Sequence, residues 1–226
     1  MEPADVYAWL MKAGGSNSCS AFDAHVLAST LALATIESEG DGQRLVAATG
    51  LEPPVLLGLI KDKFPHTFEA FEKTVSLAAT LECAEDERCL RDLLWRGSSE
   101  ASEFEQLLAL IVARRCQRPN HLWQDLGLRN RRELSWLMER HFEPLSRKNK
   151  QDMKWKKFLY RVICRDEGYS ICTAPSCSEC ADFNNCYGEE TGESLLARGR
   201  RAEELAAKEK DAACELAARG LAEANP

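Results

Sequence analysis

A chain of 226 residues, 45% hydrophobic and 29% charged, is long enough to bury one sizeable core and carry an appended tail. Its net charge of −7 and pI near 5.3 argue against general binding to nucleic acid. The longest apolar runs fall far short of a membrane span, and Met1-Glu2-Pro3-Ala4-Asp5 opens without the basic stretch and apolar core of a secretory signal, so the expected location is the cytoplasm.

Strand signals are weak along the whole chain and helix signals are strong. Residues 22–39 are rich in helix formers, and Gly40-Asp41-Gly42 breaks the run. Pro53-Pro54 suits the first turn of a helix that ends near Phe64-Pro65. From about 67 to 81, Phe68, Phe71, Val75 and Ala78 recur at steps of three and four, an amphipathic helical pattern that 85–95 and 104–115 repeat. After Pro119 the segment HLWQDLGL is compact, with a turn at Gly127. Asn130 stands three residues before Glu133 in the manner of a capping box, and Pro144 ends the helix it opens or shortly follows its end. A last strong helix is expected from about 150 to 166, stopping at Gly168. No internal repeat is visible. The expected architecture is all-α: an irregular helical bundle over residues 1–190 that ends in a cysteine-rich metal-binding loop at 172–186. Residues 191–226 form a charged, Ala-rich helical or flexible tail.

Ten cysteines in a reducing compartment point to metal or redox chemistry rather than to a disulfide framework. Five are scattered, whereas Cys164, Cys172, Cys177, Cys180 and Cys186 crowd into one stretch. Cys172, Cys177, Cys180 and Cys186 form a C-x4-C-x2-C-x5-C array. Four-cysteine zinc sites usually set two close pairs on separate knuckles, but here all four sulfurs leave one tight loop with a single C-x2-C pair. Such a loop suits a polyhedral iron–sulfur cluster of 4Fe-4S or 3Fe-4S type better than a single ion. Zinc remains open on spacing alone, as does a purely structural role. Pro175 limits the loop's freedom, and Ser176, Ser178, Asn184 and Asn185 can turn backbone amides toward sulfur. Cys164, Cys116 and His121 are candidate additional ligands, although a free cysteine more often packs as a small hydrophobe. His121 and Asp125, four apart, read first as a hydrogen-bonded turn.

Upstream of the loop an acidic protein turns basic. Lys154, Lys157, Arg161 and Arg165 form one stripe at helical spacing, with Trp155, Phe158, Leu159, Val162 and Ile163 facing inward or flanking it. Charge runs of this kind are usually solvated faces. This one leads into the thiols, where a positive field favours thiolate and draws in an oxyanion or an acidic partner. No catalytic triad, phosphate-binding glycine loop, H-E-x-x-H or EF-hand pattern is present.

HLWQDLGL at 121–128, ELSWLM at 133–138, MKWKKFLYR at 153–161 and the four-cysteine array together resemble the NifQ family of nitrogen-fixation proteins, whose hallmark is a C-terminal C-x4-C-x2-C-x5-C motif. The resemblance runs from about residue 93 to residue 190. It implies a metallocluster carrier rather than a turnover enzyme. Such a protein processes molybdenum, by way of a mixed Mo-Fe-S cluster, and donates it to nitrogenase cofactor-assembly proteins for iron–molybdenum cofactor synthesis. Cys172, Cys177, Cys180 and Cys186 would hold that cluster. Two other readings of the residues are a zinc-stabilised interaction module and a simple electron-transfer iron–sulfur protein.

Overall fold

A computed structural model describes residues 2–12, 20–166 and 183–190, together with Leu196, Leu205, Ala206 and Lys210 singly. Among these residues the chain is all-α, without a strand. The helices run in order α1 Pro3–Met11, α2 Ala21–Ser38, α3 Gly42–Thr49, α4 Pro53–Lys63, α5 Phe68–Thr74, α6 Glu85–Arg96, α7 Glu103–Cys116, α8 Leu122–Asp125, α9 Arg131–His141, α10 Glu143–Lys148, α11 Trp155–Asp166 and α12 Phe183–Tyr187.

The centre of the body is α2. Its Ser20 cap accepts the Asp23 N–H at 3.1 Å, satisfying one of the orphan donors of the first turn. At the other end Glu39 takes a left-handed conformation and Gly40 follows at φ 82°. Every position from Ala24 to Ala34 except His25 is buried, on every side of the helix. A helix apolar all round must be enclosed by others. Here α1 and α3 flank α2, the 122–128 turn lies against it, and α7 packs on both α3 and α6. The buried side chains form one main cluster that runs from Val6 to Leu159. Each fully buried leucine in it contributes roughly 1.5–3 kcal/mol relative to exposure.

Several expected boundaries move. The amphipathic run at 67–81 is helical only as α5, to Thr74, and Val75 leaves it in extended backbone. The reason lies in α3: the Gln43 side chain donates to the Thr80 carbonyl and accepts the Thr80 N–H at 3.1 Å. It thereby satisfies backbone groups that a continued helix would have paired internally. Pro144 shortly follows the end of α9, as expected: Phe142 closes that helix, and the proline sits in the first turn of α10, where its missing N–H costs nothing. The helix expected from 150 begins only at Trp155. Asp152 is left-handed at φ 53°, and the Asn149 side chain ties off a turn by bonding both the N–H and the carbonyl of Met153 at 2.9 Å. Helices α1 and α3 have no counterpart among the sequence expectations.

The expected stop at Gly168 and the tail assignment from 191 onward lie outside the described residues, with four exceptions. One of those, Leu196, is buried against Ala4 and Leu33. No described helix is long and apolar enough to cross a membrane.

Candidate metal and anion site

Of the four cysteines in the array, Cys172, Cys177 and Cys180 lie outside the described residues. Cys186 is described. It is a free thiol, half-buried, on the single helical turn α12 rather than in the irregular loop expected there. Its carbonyl accepts the Lys154 N–H at 2.8 Å, and the Lys154 ammonium donates to the Asn184 carbonyl at 3.0 Å. Tyr187 reaches back to Gln151 through its hydroxyl at 2.8 Å. The start of α11 thus grips the turn that presents Cys186. A backbone-anchored, half-exposed thiol has the access and fixed direction that a cluster ligand needs. Among the described residues alone, no three metal-ligating side chains converge.

The other candidate ligands occupy different settings. Cys164 is half-buried on α11. Cys116, at the end of α7, is 4% exposed, and burial pushes its thiol up to about 12, with Lys156 pulling the other way and Asp125 adding to the rise. A thiol held so firmly protonated packs as an apolar side chain. His121 caps α8, where its N–H donates to Gln124 Oε1 at 3.1 Å. Asp125 does not join it. That carboxylate is 5% exposed and is occupied by Asn120, at 3.0 Å, and by Lys156.

What His121 does meet is Glu190, a residue that nothing in the sequence singles out. Glu190 Oε1 lies 3.6 Å from His121 Nδ1 and 3.0 Å from an Arg131 guanidinium nitrogen. The same Arg131 donates to the Asp152 side chain at 2.7 Å and to the Met153 carbonyl at 3.1 Å. Arg131 therefore pins the entry of α11 to the segment just past Cys186. The side chain of Glu190 is 4% exposed, and its Oε2 is buried without a hydrogen-bond partner among the described residues. No spacing rule could have found either residue, because each acts alone and across a long sequence gap.

The basic stripe proves to be divided. Lys154 and Lys157 open onto a hollow of about 760 Å³, shared with His121, Lys156, Asn185 and Glu190. Arg161 and Arg165 line a second hollow of about 340 Å³ with Lys148, Lys150, Phe158 and Tyr187. α12 borders both, with Asn185 on one and Tyr187 on the other. Trp155, Phe158 and Leu159 face the core as the pattern predicts, while Val162 and Ile163 are half-buried at its edge. Tyr160 fastens the helix to α6 and α7 through Asp86, at 3.2 Å, and Gln117, at 3.0 Å.

The family profile described as NifQ matches residues 26–188. The chain is 39% identical over 183 residues to a protein named NifQ homolog from Sinorhizobium fredii (strain NBRC 101917 / NGR234), covering 79% of this chain and 77% of that one. It is 34% identical over 168 residues to the NifQ protein of Azotobacter vinelandii, covering 69% and 85% of the two chains. A third relative, the NifQ protein of Rhodobacter capsulatus, is 38% identical over 110 residues, 48% of this chain and 61% of that one. No solved structure matches the chain significantly.

Proposed function

The chain belongs to the NifQ family of nitrogen-fixation proteins, and from that premise we propose that it is an iron–sulfur protein that processes molybdenum and donates it for iron–molybdenum cofactor synthesis. The observation that carries this reading is the C-x4-C-x2-C-x5-C array, whose last member stands half-exposed on a turn gripped by a basic helix. Four thiolates from one segment form a donor set that fits an iron–sulfur cluster, with Cys172, Cys177, Cys180 and Cys186 as ligands.

When bound, the cluster supplies sulfur-rich iron chemistry suited to a metal that arrives with oxygen ligands and leaves with sulfur ones. The chain's own residues do the rest. Lys154 fixes the backbone of the Cys186 turn. The cations of α11 set a positive field over that turn, which favours thiolate and attracts molybdate. On this reading the protein is a carrier that works in the cytoplasm and hands its metal to nitrogenase cofactor-assembly proteins, rather than an enzyme with turnover. It engages neither nucleic acid nor membrane.

The test is elemental analysis with an absorption spectrum on protein purified without oxygen from molybdate-fed cells. The expected result is iron, acid-labile sulfide and molybdenum together, all lost in Cys177→Ala/Cys180→Ala. A colourless protein holding only zinc would overturn the proposal, and iron with sulfide but no molybdenum would leave electron transfer in its place.

A further inference from the structure

We infer that the hollow between the 119–124 turn and the start of α11 is a seat for a tetrahedral dianionic oxyanion, with Lys154 and Lys157 as its charge-bearing residues. Its lining carries three lysines, and their surplus charge can be counted. Lys156 is paired with Asp125 and also donates to the Arg118 carbonyl, so it is neutralised inside the fold. Glu190 meets Arg131, which also pairs with Asp152. What remains is Lys154, whose ammonium touches only a carbonyl among the contacts the structure gives it, and Lys157, which is exposed and has no ion-pair partner among the described residues. Two ammonium groups without a carboxylate among the described residues complement the two charges of a dianion.

Polar residues share the wall: Asn185, Asn120, whose amide is held by Asp125 at 3.0 Å, and His121, whose side chain is about a third exposed. The hollow is much larger than one oxyanion, so the ion would enter with part of its hydration shell. That suits a substrate held transiently rather than a structural anion. Asn185 precedes Cys186 directly, so the seat opens beside the one cluster ligand that the structure describes. Sulfate and molybdate share this charge and shape. The reading that the occupant is the molybdenum substrate rests on the function proposed above. The second hollow carries four cations as well, yet it lies on the far flank of α12 and is walled by Phe158 and Tyr187.

Equilibrium dialysis of radiolabelled molybdate against the full chain, purified without oxygen, tests the assignment. Lys157→Gln is the primary variant, because that side chain makes no hydrogen bond or ion pair among the described residues. Lys154→Gln/Lys157→Gln follows. Lys150→Gln, on the second hollow, is the charge-matched control. Losing one of two charges should weaken binding several-fold, and losing both by roughly tenfold or more, with a steep dependence on salt. The control should stay within about twofold, the spread expected of a screened surface charge. Unchanged binding in both lysine variants, or an equal loss in Lys150→Gln, would overturn the seat. Displacement of molybdate by equimolar sulfate would overturn its assignment to molybdenum. Iron and sulfide measured in the same samples separate the two proposals. A protein that binds molybdate through Lys157 but holds no iron keeps the seat and sinks the cluster. Full loading of both metals in Lys157→Gln does the reverse.

Discussion

Replacing Arg115 with methionine should cost this fold about 3–5 kcal/mol. Arg115 is fully buried at the end of α7, and its guanidinium joins three elements. It holds Glu37 of α2 in a bidentate pair at 2.7 and 3.0 Å, donates through Nε to the Asp125 carbonyl at 2.5 Å, and reaches the Ala48 carbonyl of α3 at 3.4 Å. Methionine keeps most of the volume and removes every donor. The Asp125 carbonyl, left buried and unpaired, loses about 1–3 kcal/mol. The longer Ala48 bond adds the lower end of the same range. Glu37 is 30% exposed and keeps Arg118, so its lost pairing adds only about 1 kcal/mol. The sum agrees with the roughly 3–5 kcal/mol seen when one member of a buried pair is removed. Urea unfolding at pH 7, followed by circular dichroism, should show a lower midpoint at unchanged slope. The double variant Arg115→Met/Glu37→Met should lose less than the sum of the two single losses, since the two side chains share the bidentate pair. A loss under about 1 kcal/mol, or strict additivity, would refute the claim that this pair holds the 121–128 turn against α2 and α3.

Glu37 also gives the fold an acid limit. Burial pulls its carboxyl upward, but the bonds and charges of Arg115 and Arg118 outweigh burial and leave it below the ordinary 4.5. A lowered folded value means that its contribution is complete above about pH 4.5 and disappears as the pH falls through the folded value. Melting temperatures between pH 6 and 3 should therefore fall more steeply for the native protein than for Glu37→Gln, and parallel curves would contradict this. Gly127→Ala should destabilise by more than about 2 kcal/mol. The backbone there is left-handed at φ 74°, which alone costs a side chain about 1–2 kcal/mol, and the new Cβ would lie 2.8 Å from the Ser29 carbonyl oxygen. A thermal scan in which the alanine variant matches the native protein would disprove the close approach. Cys116, with its thiol near 12 and 4% exposed, should resist iodoacetamide at pH 8 until urea unfolds the chain. Mass spectrometry of the peptide containing it reads the result, and modification in the folded state would be fatal to this account.

The helices that the sequence disclosed are those whose own residues decide them. Residues 22–39 are rich in helix formers and 85–95 and 104–115 carry helical periodicity, and each became a helix within a few residues of the expected ends. Helix α3 escaped notice because the eight residues from Gly42 to Thr49 are too few to show a period, although Asp41 caps it by accepting the Gln43 and Arg44 N–H groups. The 67–81 run misled because its apolar spacing is helical throughout. What ends it is a tertiary bond from Gln43, which no local rule contains. The candidate site divides in the same way. Thiol spacing is a property of one short segment and can be read directly. The Glu190 contacts with Arg131 and His121 span 59 and 69 positions, and like the division of the basic stripe they exist only once the body has folded.

This arrangement assigns the work of folding to the helical body and not to the metal. Small zinc modules are unfolded without their ion because the ligands are most of what holds them together. Here the fully buried members of the interior run from Val6 to Leu159, Cys186 packs only at its edge, and Lys154 positions Cys186 through backbone and side-chain bonds that need no metal. Arg131 adds a second clamp four residues past it, at Glu190. Chelation under reducing conditions should therefore abolish any cluster absorbance while leaving the far-ultraviolet helical signal nearly intact and the melting temperature within a few degrees. A collapse of helicity on metal removal would mean that the thiols are structural, and would favour a zinc-stabilised module over a carrier that must load and release its cargo without unfolding.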